Sequence, residues 1–278
     1  MAGIEENVED TLRFHHLLIV SDDEEQGTTE EEVDDLEEDT ESESEEETTL
    51  IVGVSGLHDA VYDCQEPIDF YELFLKREIM DLIVRETNRY GIRQNEEFQE
   101  TSADEMRNYI DLCLQMGLVK MPNLRPCLGG QAGKILKKKT RFEELSKYLH
   151  LADNDTSDGD RLHKIRKFVE MFNKAAAECY SPERELCIDE SLVPFRGRIV
   201  FRQYLPAKRH QYGIKIFKLC SKGGYTVRIK IYAGRDPSRE EPLADKVVME
   251  LMEGFLDERR VLCTDNYYSS IGRSKIRN

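Results

Sequence analysis

Two aspartates, Asp189 and Asp265, stand where a pair of carboxylates has chemistry to do. Asp189 follows the short apolar run 186–188, and Asp265 follows the apolar run 261–264. Two converging carboxylates share divalent metal ions. In a two-metal site the ions sit about 3.5–4 Å apart, activate water and stabilise the leaving oxygen of a phosphodiester. Magnesium suits hard carboxylate oxygens, and manganese tolerates them too. Taken singly, an Asp at a strand end is as readily a cap or turn residue. The polar string Thr264-Asp265-Asn266-Tyr267-Tyr268 reads equally as a turn. The surroundings tilt the balance. From Ser191 to Arg235 there is no Asp or Glu, against eleven Lys and Arg. Phe195, Phe201, Tyr204, Tyr212, Phe217 and Tyr225 are interleaved with those bases, together with β-branched residues that build sheets. A folded basic surface beside an acidic site attracts a polyanion, and nucleic acid is the polyanion it fits. There is no P-loop, Rossmann glycine pattern, nucleophile elbow or HExxH motif to supply a competing chemistry.

The elements that must position the two carboxylates follow from periodicity. Residues 186–188 read as a short buried strand. Residues 212–220 and 225–232 alternate as strands around Lys222-Gly223-Gly224, which predicts a hairpin. Residues 243–255 carry a helical apolar stripe, and 261–264 a further buried strand. A helical crossover lets the last strand lie parallel to and beside the first. That juxtaposition brings Asp189 and Asp265 together although 75 residues separate them.

Upstream the pattern is helical. Apolar residues recur at three-to-four spacing over 66–90. A second helix begins at Thr101, with Ser102 and Glu105 in the capping-box arrangement. Residues 142–151 and 162–180 are two more helical stretches. The polar loop 153–160 has the look of a calcium loop. Its twelfth position is Lys164, so the bidentate Glu is missing and the loop reads as a linker. Residues 121–139 break the pattern with Pro, Gly and the run Lys137-Lys138-Lys139, read as a solvated face.

The formal charge of −17 conceals an asymmetry. Residues 1–50 hold 21 acids and one base, so the remaining 228 residues are slightly basic at +3. The segment 1–49 buries too little apolar area to offset the entropy of ordering, which predicts a disordered acidic arm. Phe14-His15-His16-Leu17-Leu18-Ile19-Val20 is an apolar island within it. Seven cysteines without CxxC spacing indicate reduced thiols in a cytosolic or nuclear protein and give no zinc pattern. No apolar run is long enough to span a bilayer.

Several motifs resemble the piggyBac-type transposases of the DDE class. They are Ile188-Asp189-Glu190-Ser191-Leu192-Val193-Pro194-Phe195-Arg196-Gly197-Arg198, Gln203-Tyr204-Leu205-Pro206-Ala207-Lys208, Tyr212-Gly213-Ile214-Lys215 and Thr264-Asp265-Asn266-Tyr267-Tyr268. Upstream, Pro67-Ile68-Asp69-Phe70, Glu86-Thr87-Asn88-Arg89-Tyr90 and Leu149-His150-Leu151-Ala152-Asp153-Asn154 are similar to that family too. The resemblance runs from about Pro67 to Ile271. It implies an α/β fold, with an RNase H-like catalytic core at 182–278 behind an all-helical dimerisation and DNA-binding part at 50–181. It also implies metal-dependent DNA cleavage and strand transfer by three aspartates. Asp189 matches the first of these and Asp265 the second, while the third is expected beyond Asn278, as is the family's cysteine-rich zinc module.

The resulting expectation is a transposable-element-derived, nuclear, DNA-binding protein, homodimeric in keeping with the family. Its metal site is incomplete, binds Mg2+ or Mn2+ weakly through Asp189 and Asp265, and is inactive in this chain. Arg196, Arg198, Arg202, Lys208, Arg209 and Lys215 are the expected DNA contacts. Two rivals stand beside it. One is an active cut-and-paste transposase of which this sequence is a fragment. The other is an interaction protein that works through its acidic arm.

Overall fold

The computed structural model describes residues 55–118, 139–157, 159–206, 208, 210–235, 241–265, 267 and 268. The acidic arm, the lysine run at 137–138, Arg209 and the third-aspartate question all lie outside those residues. The description opens with β1 (Gly56–Leu57) and then α1 (Asp59–Tyr62), α2 (Pro67–Phe74), α3 (Arg77–Gln94), α4 (Ala103–Leu118), α5 (Lys139–Tyr148) and α6 (His163–Ala177). Five strands and one helix of the second half follow β2 (Tyr180–Ser181). They are β3 (Glu185–Pro194), β4 (Gln203–Tyr204), β5 (Tyr212–Ser221), β6 (Thr226–Ile231), α7 (Leu243–Leu251) and β7 (Val261–Thr264).

The single helical stretch expected over 66–90 divides in two. Leu75 (φ −99°, ψ 60°) and Lys76 (φ −57°, ψ 161°) leave the helical region between α2 and α3. Periodicity is blind to such a break, because the apolar spacing continues across it. At the start of α4 half of the expected capping box forms. The Glu105 amide donates to Ser102 Oγ at 3.2 Å, while the Glu105 carboxylate turns to Thr101 and Arg141 instead. Helices α3, α4 and α5 close on one core of Ile79, Met80, Ile83, Met106, Tyr109, Leu112, Cys113, Phe142 and Leu145.

The second core lies between the sheet and α7. Leu186 and Ile188 of β3, Phe217 and Leu219 of β5, and Val227 of β6 pack against Ala244, Val247, Val248 and Leu251. The strands order as β4-β5-β3-β7, with β6 on β5. Pairs β3–β5, β4–β5 and β5–β6 are antiparallel, and β3–β7 is parallel. The hairpin turn places Gly223 and Gly224 both at φ +87°, a backbone that glycine adopts without a Cβ clash. Gly213 has a different reason to be glycine: a Cβ there would sit 2.2 Å from the Val193 carbonyl oxygen where β5 pairs with the end of β3. The expected three-residue strand at 186–188 proves to be the opening part of a ten-residue strand. Its second half carries Glu190 and Ser191, polar residues that hid the continuation.

Candidate metal and nucleic-acid site

Strand β3 alternates strictly through its first half. Leu186 and Ile188 are buried against α7, while Glu185, Cys187 and Asp189 face the opposite, open side. Strand β7 pairs with it in parallel at Glu185↔Val261, Leu186↔Leu262, Cys187↔Cys263 and Ile188↔Thr264. Asp189 is the next residue of β3 and Asp265 the residue just past the end of β7, and both are exposed. The crossover through α7 therefore brings the two carboxylates side by side. On the other flank β5 sets Lys218 opposite Asp189.

Asp265 also makes a turn: its Oδ1 accepts from the Tyr267 amide at 3.0 Å, and the Tyr268 amide donates to its carbonyl at 3.1 Å. Tyr268 is 1% exposed and its ring meets Phe217 edge-on at 6.4 Å. The turn and site readings of this string are thus compatible, since Tyr268 pins into the core the segment that presents Asp265. Burial, reinforced by the charges of Glu190 and Asp265, pushes the Tyr268 phenol well above its ordinary value. Partial burial first, and then Asp189, Cys220, Cys263 and Asp265, raise the Cys187 thiol. Neither Asp189 nor Asp265 joins an ion pair among the described residues. Their oxygens are hard, adjacent and accessible, which fits a divalent cation. Among the described residues no group of three or more His, Cys, Asp or Glu is placed to hold a metal ion, so the pair stands without a third ligand.

The predicted DNA contacts divide. Arg196, Arg198, Arg202 and Lys208 are exposed on the two loops that flank β4, beyond the C-terminal end of β3. Arg202 organises its loop as well, donating to the carbonyls of Arg196 at 2.8 Å and Gly197 at 3.1 Å while its guanidinium lies 5.2 Å from the Tyr212 ring. Lys215 is committed elsewhere. Its ammonium pairs with Glu190, the side chain is 13% exposed, and it lies over Phe217 and Tyr267. Two further bases of the acid-free stretch are also used internally. Arg228 donates to the carbonyls of Glu250, Leu251 and Glu253 at the end of α7, and Lys230 pairs with Glu250. The stretch 191–235 is acid-free along the chain, but acids from β3 and α7 meet it in space. The basic surface is accordingly narrower than the sequence implied. Sequence reasoning counted Lys218 among the bases and did not single it out as a site residue. The register that puts it opposite Asp189 was the missing signal.

The motif Glu86-Thr87-Asn88-Arg89-Tyr90 forms a joint between helices. The Glu86 carboxylate pairs with Arg85 at 2.9 Å and Arg89 at 2.8 Å. The Thr87 hydroxyl accepts from the His150 amide at 3.2 Å. Asn88 exchanges two hydrogen bonds with the Thr101 backbone. The Tyr90 ring stacks on His150 at 3.5 Å, and burial lowers the His150 pKa. Asp153, first residue of the loop that looked calcium-like, ties Arg89 at 2.9 Å and Arg93 at 2.8 Å and accepts from the Asp155 amide. Its carboxylate is a salt-bridge node.

The comparisons with known proteins bear on this whole arrangement. A family model described as Transposase IS4, of the piggyBac type, matches residues 66–275. The chain belongs to the piggyBac-type transposase family. It is 26% identical over 201 residues to the human PiggyBac transposable element-derived protein 3, which covers 69% of this chain and 34% of that protein. It is 27% identical over 206 residues to the human PiggyBac transposable element-derived protein 2, covering 70% of this chain and 34% of the other. The fold is similar to that in a cryo-EM structure of a piggyBac transposase synaptic complex with hairpin DNA. There the TM-score is 0.70 at 26% identity, over 80% of this chain and 50% of that one. The chain spans about a third of the length of these curated relatives. No helix among the described residues is long and apolar enough to cross a membrane.

Proposed function

We propose that these 278 residues bind DNA through the loops flanking β4 and direct it across the carboxylate pair. Arg196, Arg198, Arg202 and Lys208 contact phosphates, with Arg209 directly after Lys208 in sequence, and the DNA target places the protein in the nucleus. The observation that carries this reading is the in-register placement of Asp189 beside Asp265, next to a loop cluster whose cations are exposed. Asp189 and Asp265 hold one Mg2+ or Mn2+ weakly, because two carboxylates leave most of the coordination shell to water. Such an ion, when bound, polarises a phosphodiester and activates water. Among the described residues no third carboxylate joins the pair, so the reading is of DNA engagement without efficient cleavage.

The test is fluorescence anisotropy with labelled duplex DNA across a salt series. Each phosphate neutralised contributes a log–log slope of about −0.9. Replacing Arg196, Arg198 and Lys208 by Ala should weaken binding and flatten the slope by about 2 to 3 units. Unchanged affinity and slope would reject the reading. The arm, at a net charge of −20 over residues 1–50, should compete for the same surface as a tethered polyanion. Deleting residues 1–49 should therefore strengthen binding, most at low salt. A second reading, an active transposase of which this is a piece, is favoured by the share of the relatives that the chain spans. Metal-dependent nicking by this chain, lost on Asp265→Asn, would establish it in place of the first.

A further inference from the structure

The open face of the sheet carries a second row of reactive groups, one step below the carboxylates. Cys263 of β7, Cys187 of β3 and Cys220 of β5 occupy three adjacent strands in register, through the pairs Cys187↔Cys263 and Cys187↔Cys220. Each carboxylate stands two residues after a cysteine on the same face of its own strand: Asp189 after Cys187, Asp265 after Cys263. None of the six described cysteines is in a disulfide, and Cys187 and Cys263 are the two that are exposed. Among the described residues no three ligands are placed to hold a metal ion, so the chemistry of this row is pairwise. Neighbouring strands lie about 4.7–4.9 Å apart. That separation is inside the Cα–Cα range of about 4.4–6.8 Å that a disulfide spans.

We propose that Cys187 and Cys263 are a modification site for low-molecular-weight disulfides, closing into a cross-strand disulfide that ties β3 to β7 directly beneath Asp189 and Asp265. Cys187, exposed but with its thiol pKa raised by partial burial and then by the nearby carboxylates, attacks one sulfur of oxidised glutathione slowly, as its thiolate. A Cys187–glutathione bond forms, the reagent's own S–S bond breaks, and one glutathione thiolate leaves. The Cys263 thiolate then attacks the Cys187 sulfur and displaces the second glutathione. In sum, two protein thiols are oxidised to one disulfide, and one molecule of oxidised glutathione is reduced to two of glutathione, which take up the two protons. Cys263 is the resolving partner for two reasons. Cys220 is half-buried with its sulfur 3.8 Å from the Thr226 hydroxyl of β6. Strand β7 is four residues long and outermost among the described strands, so it can give the small shift a disulfide needs, whereas β5 is held by β3, β4 and β6. An exposed disulfide of this kind is labile, reforming and opening with the ambient thiol poise.

The test equilibrates the full 278-residue chain with oxidised and reduced glutathione, quenches it by alkylation and maps tryptic peptides by mass spectrometry. Cleavage after Arg184, Arg196, Lys218, Lys222, Arg260 and Arg273 puts Cys187, Cys220 and Cys263 on three separate peptides. The expected product joins residues 185–196 to residues 261–273, with Cys113 and Cys179 recovered as free thiols. Cys263→Ser should abolish that crosslink and leave a persistent glutathione adduct on Cys187. Circular dichroism verifies that the variant folds, and wild-type chain unfolded in guanidinium gives the yield for unbiased pairing. A link from Cys187 to Cys220, an unresolved adduct on Cys187 in the wild type, or a crosslink no more abundant than in the unfolded chain would each overturn the proposal.

Discussion

Two sets of carboxylates in this chain receive opposite treatment. In the helical half Glu86, Glu105 and Asp153 each meet one or more arginines at 2.7–2.9 Å. In the sheet half Asp189 and Asp265 lie side by side and exposed, and no ion pair among the described residues involves either. Paired charges of the first kind tie helices together. Adjacent like charges cost electrostatic energy, which Lys218 opposite Asp189 offsets in part and a bound cation would offset further. The difference separates architecture from candidate chemistry even though the residue types are the same.

That contrast breaks first, and hardest, if the helical scaffold is damaged. Phe142 is fully buried against Tyr109, and Phe142→Ala should cost about 3–5 kcal/mol, read as a large fall in the denaturation midpoint. Arg141 grips Glu105 through two nitrogens and Glu144 through a third, with its side chain 14% exposed. Arg141→Ala should cost about 2 kcal/mol, measured in urea, and less if water reaches the abandoned Glu105.

Acid titration sharpens the same comparison. The hydrogen bonds from Arg141 hold the Glu105 carboxyl below its ordinary value, despite partial burial that opposes them. A depressed folded-state pKa means stability that is present above the unfolded-state value and is lost as pH falls through the folded one. Stability should therefore decline below about pH 4, and Glu105→Gln should flatten that decline. A variant as acid-sensitive as the wild type would show that Glu105 contributes little.

The smallest stability effects belong to the strand-end pair. Asp189→Asn and Asp265→Asn should each leave stability within about 0.5 kcal/mol of wild type, because no ion pair is broken and a like-charge contact is relieved. A loss of several kcal/mol would move these aspartates into the structural class.

What the sequence disclosed about this arrangement follows from locality. The hairpin was legible because Lys222-Gly223-Gly224 punctuates two alternating runs. The parallel placement of β7 beside β3 was legible because a helical stripe stands between them and the handedness rule leaves few alternatives. The break at Leu75 and Lys76 was not legible, since the apolar spacing on either side stays in phase. The fates of Lys215, Arg228 and Lys230 were hidden for another reason. Their partners, the carboxylates of Glu190 and Glu250 for the two lysines and the carbonyls of Glu250, Leu251 and Glu253 for Arg228, lie outside the acid-free window and meet it only through pairing and packing. Glu86-Thr87-Asn88-Arg89-Tyr90 stood out by resemblance alone, and its physics became visible only when His150, Thr101 and Asp153 were brought to it from 13 to 64 residues away.

The most direct test of the account is calorimetric titration of the full chain with Mn2+, comparing wild type, Asp189→Asn, Asp265→Asn and Glu86→Gln. Weak binding of one ion is expected in the wild type and in Glu86→Gln, and its loss in both aspartate variants. Binding that survives both aspartate substitutions, or that Glu86→Gln abolishes, would contradict the assignment of the unpaired carboxylates as the metal site.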